Sequence, residues 1–152
     1  MFSESSSSAF IQSGPISNKW SEITLLQVRS RNALYTGIRH GRKFLIKAIK
    51  PVYGDAVTSP YATQSKVLHE KEFRLGILLN HPHIMSTYSL EEVGDLGLCI
   101  VAEWIEGVTL GKWLLTKPSL AARRRVLMQI LDALAYIHSL QLVHHDIKLD
   151  NI

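Results

Sequence analysis

Apolar and polar positions change period several times along this chain, and the changes mark its elements. Across residues 23–49, β-branched and apolar residues alternate with polar ones in short runs, the period of half-buried strands. Ile38-Arg39-His40-Gly41-Arg42-Lys43 breaks the run, and Gly41 tolerates the positive φ of a tight hairpin, so about three antiparallel strands are predicted here. Residues 51–60, with Gly54 and Asp55 between Pro51 and Pro60, read as a loop. Over residues 66–79 the period lengthens: Leu68, Leu75, Leu78 and Leu79 fall on helical spacing, and His81-Pro82 stops the helix. Residues 84–90 and 98–101 are strand-like again, joined through Gly94-Asp95-Leu96-Gly97. The pattern therefore predicts five strands with one helix.

The remainder is helical. Glu103-Trp104-Ile105-Glu106-Gly107 connects to a short helix over residues 109–115. After Lys117-Pro118, Ser119 can cap a longer helix reaching about residue 138, with Leu127, Ile130, Leu131, Leu134 and Ile137 in one apolar stripe. Such a stripe needs a partner, and a chain stopping at Ile152 is expected to leave much of it wet. Residues 3–8 are a serine-rich tract that gains little by packing, so order is expected from near Trp20.

The chain closes on Val143-His144-His145-Asp146-Ile147-Lys148-Leu149-Asp150-Asn151-Ile152. Phosphoryl transfer to a hydroxyl asks for a carboxylate to orient the hydroxyl and a neutral oxygen ligand for magnesium. Asp146 and Asn151 are those types at the spacing His-Arg-Asp, four residues, Asn, with His145 in the arginine's place. On these residues the chain resembles eukaryotic-type protein kinases over about residues 20–152. The resemblance implies an α+β fold with a five-stranded antiparallel small lobe (20–102), a hinge (103–107) and the start of a helical large lobe (108–152), after a flexible tail (1–19).

It also implies roles, with ATP and Mg2+ as cofactors and a protein as substrate. Asp146 would orient the substrate hydroxyl, Asn151 would ligate magnesium, and Lys148 would neutralise the transferred phosphate, a lysine typical of Ser/Thr-directed members. Lys47, in Phe44-Leu45-Ile46-Lys47-Ala48-Ile49, matches the Val-Ala-Ile-Lys element that grips nucleotide phosphates; taken alone it reads as an ordinary strand lysine. Glu72 stands ten residues before Pro82, as that lysine's partner usually does, with Glu70 as the competing choice. Leu45 and Ala102 would shape the adenine pocket, and the backbones of Glu103 and Ile105 would face the base.

Departures from the pattern keep other readings open. Gln27-Val28-Arg29-Ser30-Arg31-Asn32 occupies the place of the glycine-rich loop without one glycine, which weakens a backbone phosphate cradle. Arg29 and Arg31 are either substitute cations or solvated strand residues. His145 replaces a permanent cation with a pH-dependent one, so activation is expected not to rely on a phosphorylated loop. No Asp-Phe-Gly follows, so the chain is expected to be about half a catalytic domain and inactive by itself. A catalytically dead, pseudokinase-like binding or scaffold protein is the second reading, and a small-molecule kinase the third.

Composition adds little. A net charge of +4 and a pI near 9.3 permit an anionic partner, but Arg123-Arg124-Arg125 fan around a helix and read as a solvated face, so no nucleic acid is expected. The lone Cys99 lies in an apolar run and reads as a small buried hydrophobe in a reducing cytoplasm. Adjacent His144 and His145 make a poor chelate, so zinc is not expected. No run is long and apolar enough for a membrane span, and the start lacks signal-peptide character; a cytoplasmic protein is expected. Oligomeric state is not legible.

Overall fold

The computed structural model describes residues 19–29, 32–49 and 60–152, with no side-chain description for 60–63 and 65. The serine-rich tract and residues 51–59 of the expected loop lie outside the described residues. Strands β1 (Ser21–Val28), β2 (Asn32–Arg39), β3 (Arg42–Ile49), β4 (Thr87–Glu92) and β5 (Leu98–Glu103) form one antiparallel sheet in the order β1-β2-β3-β5-β4. Helix α1 (Pro60–Leu78) precedes β4, and α2 (Leu110–Leu115) and α3 (Leu120–Ser139) follow β5.

Arg39 pairs with Arg42, so β2 and β3 are joined by a two-residue turn. His40 and Gly41 both have positive φ, 52° and 71°, as a type I′ turn requires. That turn fixes the register, and the register sorts the side chains. Ile46 opposite Val101 and Ala48 opposite Cys99 face one side, where they form the buried core with Val93, flanked by Trp20, Tyr35, Phe44 and Leu96. Leu45 opposite Ala102 and Lys47 opposite Ile100 face the other. Full burial of residues such as Ile46 and Val101 stabilises the sheet by roughly 1.5–3 kcal/mol each. The edge strand β1 is exposed throughout.

Two boundaries differ most from the sequence pattern. Helix α1 begins at Pro60, not 66, because proline suits the first helical position and its missing N–H costs nothing there. Strand β4 begins at Thr87, not 84, because residues 81–86 first make a turn closed by Ile84 N–H donating to His81 O at 3.0 Å.

The short helix starts after a cap: the Thr109 hydroxyl accepts from Lys112 N–H. Ser119 Oγ likewise accepts from Ala122 N–H, capping α3 as its sequence suggests. At the other end Gln141 adopts φ 58°, with Leu142 N–H bonded to Ile137 O and Gln141 N–H to His138 O, a Schellman motif without its usual glycine. Ile137 and Ala133 are buried and Ile130 and Leu134 half-buried, whereas Leu127 and Leu131 of the expected stripe stay exposed. Among the described residues, no helix is long and apolar enough to cross a membrane.

Helix α1 closes on the sheet at Gly76. A Cβ there would overlap Thr87 Oγ1 and stand 3.1 Å from Thr87 Cβ. Gly76→Ala should therefore lower the thermal midpoint: overpacking costs about 1–3 kcal/mol, against the roughly 1 kcal/mol that alanine gains over glycine in a helix. Adding Thr87→Ala removes the Oγ1 overlap but keeps the 3.1 Å contact to Cβ, so it should recover part of the loss. Cys99 is fully buried, and burial, followed by the charges of Glu92 and Glu91, pushes its thiol up to about 12. It should resist iodoacetamide at pH 8 in native protein and react once denatured.

Candidate active site

Because Lys47 sits on the sheet face opposite the core, its ammonium emerges toward α1. There Glu72 meets it with both carboxylate oxygens, Oε2 at 2.6 Å. Glu70, two positions earlier, points off that face, and no ion pair involves it among the described residues. The pair borders a cavity of about 450 Å3 whose lining includes Leu45, Lys47, Glu72, Gly76, Ala102 and His144. Leu75, Leu79, Met85, Thr87 and Ile100 complete its largely apolar wall. Two small residues, Gly76 on α1 and Ala102 on β5, leave the space between helix and sheet.

Glu103 and Ile105 do not line this cavity. The Glu103 carboxylate accepts from Ser86 N–H at 3.1 Å while its own N–H donates to Ser86 O at 2.8 Å, locking the end of β5 to the turn before β4. Ile105 is exposed. Beside it Trp104 donates its indole N–H to Glu106, and the Lys43 ammonium lies 4.3 Å from the Trp104 ring centre, so the segment after β5 is held against the start of β3.

At the chain's far end, Asp146 is the centre of a compact network. Its Oδ2 accepts from Lys148 Nζ at 3.0 Å and from Asn151 Nδ2 at 2.7 Å, and Asn151 Nδ2 also reaches Asp146 O at 2.9 Å. His144 Nδ1 accepts from Asp146 N–H at 3.2 Å, and His145 between them adopts φ 63°. That left-handed turn lets His144 face the cavity while Asp146 faces its partners. The hydrogen bond from Lys148, then that from Asn151, hold the Asp146 carboxyl below the usual carboxylate range, against a small opposing effect of desolvation. Leu110 N–H donates to Ile152 O, tying this segment to the start of α2.

Sequence reasoning singled out Lys47, Glu72, Leu45 and Ala102, which gather at the cavity, and Asp146, Lys148 and Asn151, which form one network. It passed over Gly76, Thr87 and His69. A glycine within a helix could have signalled close approach to a neighbour. His69 carried no such signal, since a helical histidine reads as solvated, yet it is buried with Nε2 3.1 Å from Lys47 O. Of the glycine-free stretch, Ser30 and Arg31 lie outside the described residues; Arg29 Nε donates to Gln27 Oε1, and Arg29 N–H donates to Asn32 O.

The family described as protein kinase domain matches residues 34–152. The chain belongs to the protein kinase family. A serine/threonine-protein kinase PrkC from Bacillus subtilis is 34% identical over 96 residues, covering 60% of this chain and 15% of the relative. A serine/threonine-protein kinase C from Synechocystis is 32% identical over 120 residues, covering 77% of this chain and 22% of that protein. A crystal structure of Rad53 in complex with AMP-PNP superposes with a TM-score of 0.63 at 23% identity, over 85% of this chain and 33% of that one. The five-stranded antiparallel lobe followed by helices is thus a protein-kinase-like fold, and the chain spans less than a quarter of these two curated relatives.

If the Lys148 ammonium depresses the Asp146 carboxyl as the geometry dictates, Lys148→Met should raise its titration midpoint toward the ordinary aspartate value. Carboxyl 13C NMR across the acid range would show it, and an unchanged midpoint would sink the assignment.

Proposed function

We propose that these residues form the nucleotide and catalytic site of a kinase that transfers the γ-phosphate of ATP to Ser or Thr hydroxyls of a protein substrate. The observation that carries this reading is the pairing of Lys47 with Glu72 at a cavity also lined by His144, two residues before the Asp146 network. A lysine braced by a carboxylate presents a fixed cation to phosphate oxygens. Asp146, held ionised by Lys148 and Asn151, is suited to accept a hydrogen bond from an attacking hydroxyl and to orient it. Lys148 would place its charge beside the phosphate in transit. The names of the relatives and Lys148 together favour Ser/Thr over Tyr.

The donor set fits magnesium. Asn151 commits its Nδ2 to Asp146, which leaves its amide oxygen without a hydrogen-bond donor among the described residues, and Mg2+ prefers such hard oxygen ligands. Asn151 would hold the ion, whose chemistry when bound is to offset the charge on the phosphates. Leu45 and Ala102, which line the cavity, would border the adenine; the backbone of Glu103 and Ile105, which do not line it, would meet only a part of the base that extends beyond the cavity.

One observation favours the second reading, a binding protein without turnover. Arg29 N–H is already spent on Asn32 O in the glycine-free connection between β1 and β2, so this stretch has less backbone to offer a phosphate. Turnover decides between them. Where these residues are joined to the rest of a kinase domain, transfer from γ-labelled ATP should reach serine peptides in preference to tyrosine peptides. Asp146→Asn should cut the rate by roughly a hundred-fold or more while nucleotide affinity stays near that of the parent protein. Nucleotide binding without measurable transfer would favour the binding protein; equal rates for Asp146→Asn and parent would refute the role of Asp146.

A further inference from the structure

Among the described side chains of α1, the best buried is a histidine. His69 is 5% exposed, while its neighbours Val67 and Leu68 are 44% and 46% exposed. Burying an imidazole while leaving leucine in water is unfavourable unless the ring is hydrogen-bonded, and its partner is the backbone carbonyl of Lys47, 3.1 Å from Nε2. A carbonyl oxygen only accepts, so Nε2 carries the hydrogen and donates it. His69 and Glu72 are three residues apart and share one helix face. Among the described residues, the polar links between α1 and β3 are these two, and both end on Lys47: His69 on its carbonyl, Glu72 on its ammonium.

We propose that His69 is a positioning residue for the nucleotide site, its Nε2–H anchoring α1 to the Lys47 backbone so that Glu72 is held where the Lys47 ammonium emerges. The proposal rests on the reading that the Lys47–Glu72 pair serves nucleotide phosphates. The ion pair alone is a poor anchor, because Glu72 is about half exposed and its lysine is long and flexible. The carbonyl is rigid, fixed within β3 between β2 and β5, so a bond to it sets both the height and the rotation of α1. Burial chiefly lowers the His69 pKa, opposed by the nearby Glu72 charge and assisted by that of Lys47, so at neutral pH the ring is uncharged with a single N–H. A leucine of similar volume fills the site but cannot donate; a glutamine places an N–H near the same point.

The test compares His69→Leu, His69→Gln, Glu72→Gln and the His69→Leu/Glu72→Gln pair, titrated with AMP-PNP and magnesium by calorimetry. His69→Leu should bind roughly ten-fold more weakly, as loss of one buried hydrogen bond implies. His69→Gln should recover most of the loss, and His69→Leu should cost nothing further once Glu72 is Gln. Imidazole 15N NMR should show a neutral ring protonated at Nε2, and the Lys47 ammonium protons, protected by Glu72, should lose protection in His69→Leu but not in His69→Gln. Equal affinity of His69→Leu and parent, or losses that add in the double variant, would overturn the proposal. If the parent protein fails to bind AMP-PNP, the nucleotide reading falls, and the proposal is then refuted unless the Lys47 protons show the stated contrast.

Discussion

The Lys47–Glu72 ion pair is the joint on which this arrangement turns, because it is where sheet, helix and cavity meet. Its energy is modest: Glu72 is about half exposed, and exposed pairs contribute roughly 0–1 kcal/mol. Its value is positional. Lys47 reaches the cavity face only because the two-residue turn at His40-Gly41 sets the register that sends Ile46 and Ala48 to the core. Gly76, one turn further on, lets α1 close against Thr87 and so brings Glu72 within reach of Lys47. Register, helix approach and ion pair are thus successive consequences of a few residues.

The second half of the site depends on a different constraint. Asp146, Lys148 and Asn151 bond to one another within six residues, so their network is local and needs little from the rest of the fold. Its orientation is set by His145, whose left-handed backbone costs about 1–2 kcal/mol for a residue with a Cβ. Local strain of this kind persists where the surroundings over-determine it, and here the bonds from Asp146 N–H to His144 and from Asn151 to Asp146 do so.

Much of this was legible in the sequence, for physical reasons. Strand alternation around Lys47 and the spacing from Asp146 to Asn151 are one-dimensional patterns that survive folding unchanged, and Glu72 was separable from Glu70 by its distance to Pro82. The start of α1 was not legible, since its first residues lack an apolar stripe and Pro60 reads equally as loop or as first helical residue. Gly76, Thr87 and His69 escaped because their significance is a tertiary approach between helix and sheet, which no local period encodes. The α3 stripe is legible as apolar, and so is the exposure of part of it: Leu127 and Leu131 stay in solvent, since burial depends on a neighbour and not on periodicity alone.

The measurement that tests the central claim most directly is the affinity of the chain for AMP-PNP with magnesium, compared between Glu72→Gln and Glu70→Gln. The geometry predicts weaker binding for Glu72→Gln and parent-like binding for Glu70→Gln, because only Glu72 braces the Lys47 ammonium. Weakening by Glu70→Gln alone, or by neither change, would contradict the claim that this ion pair organises a nucleotide site.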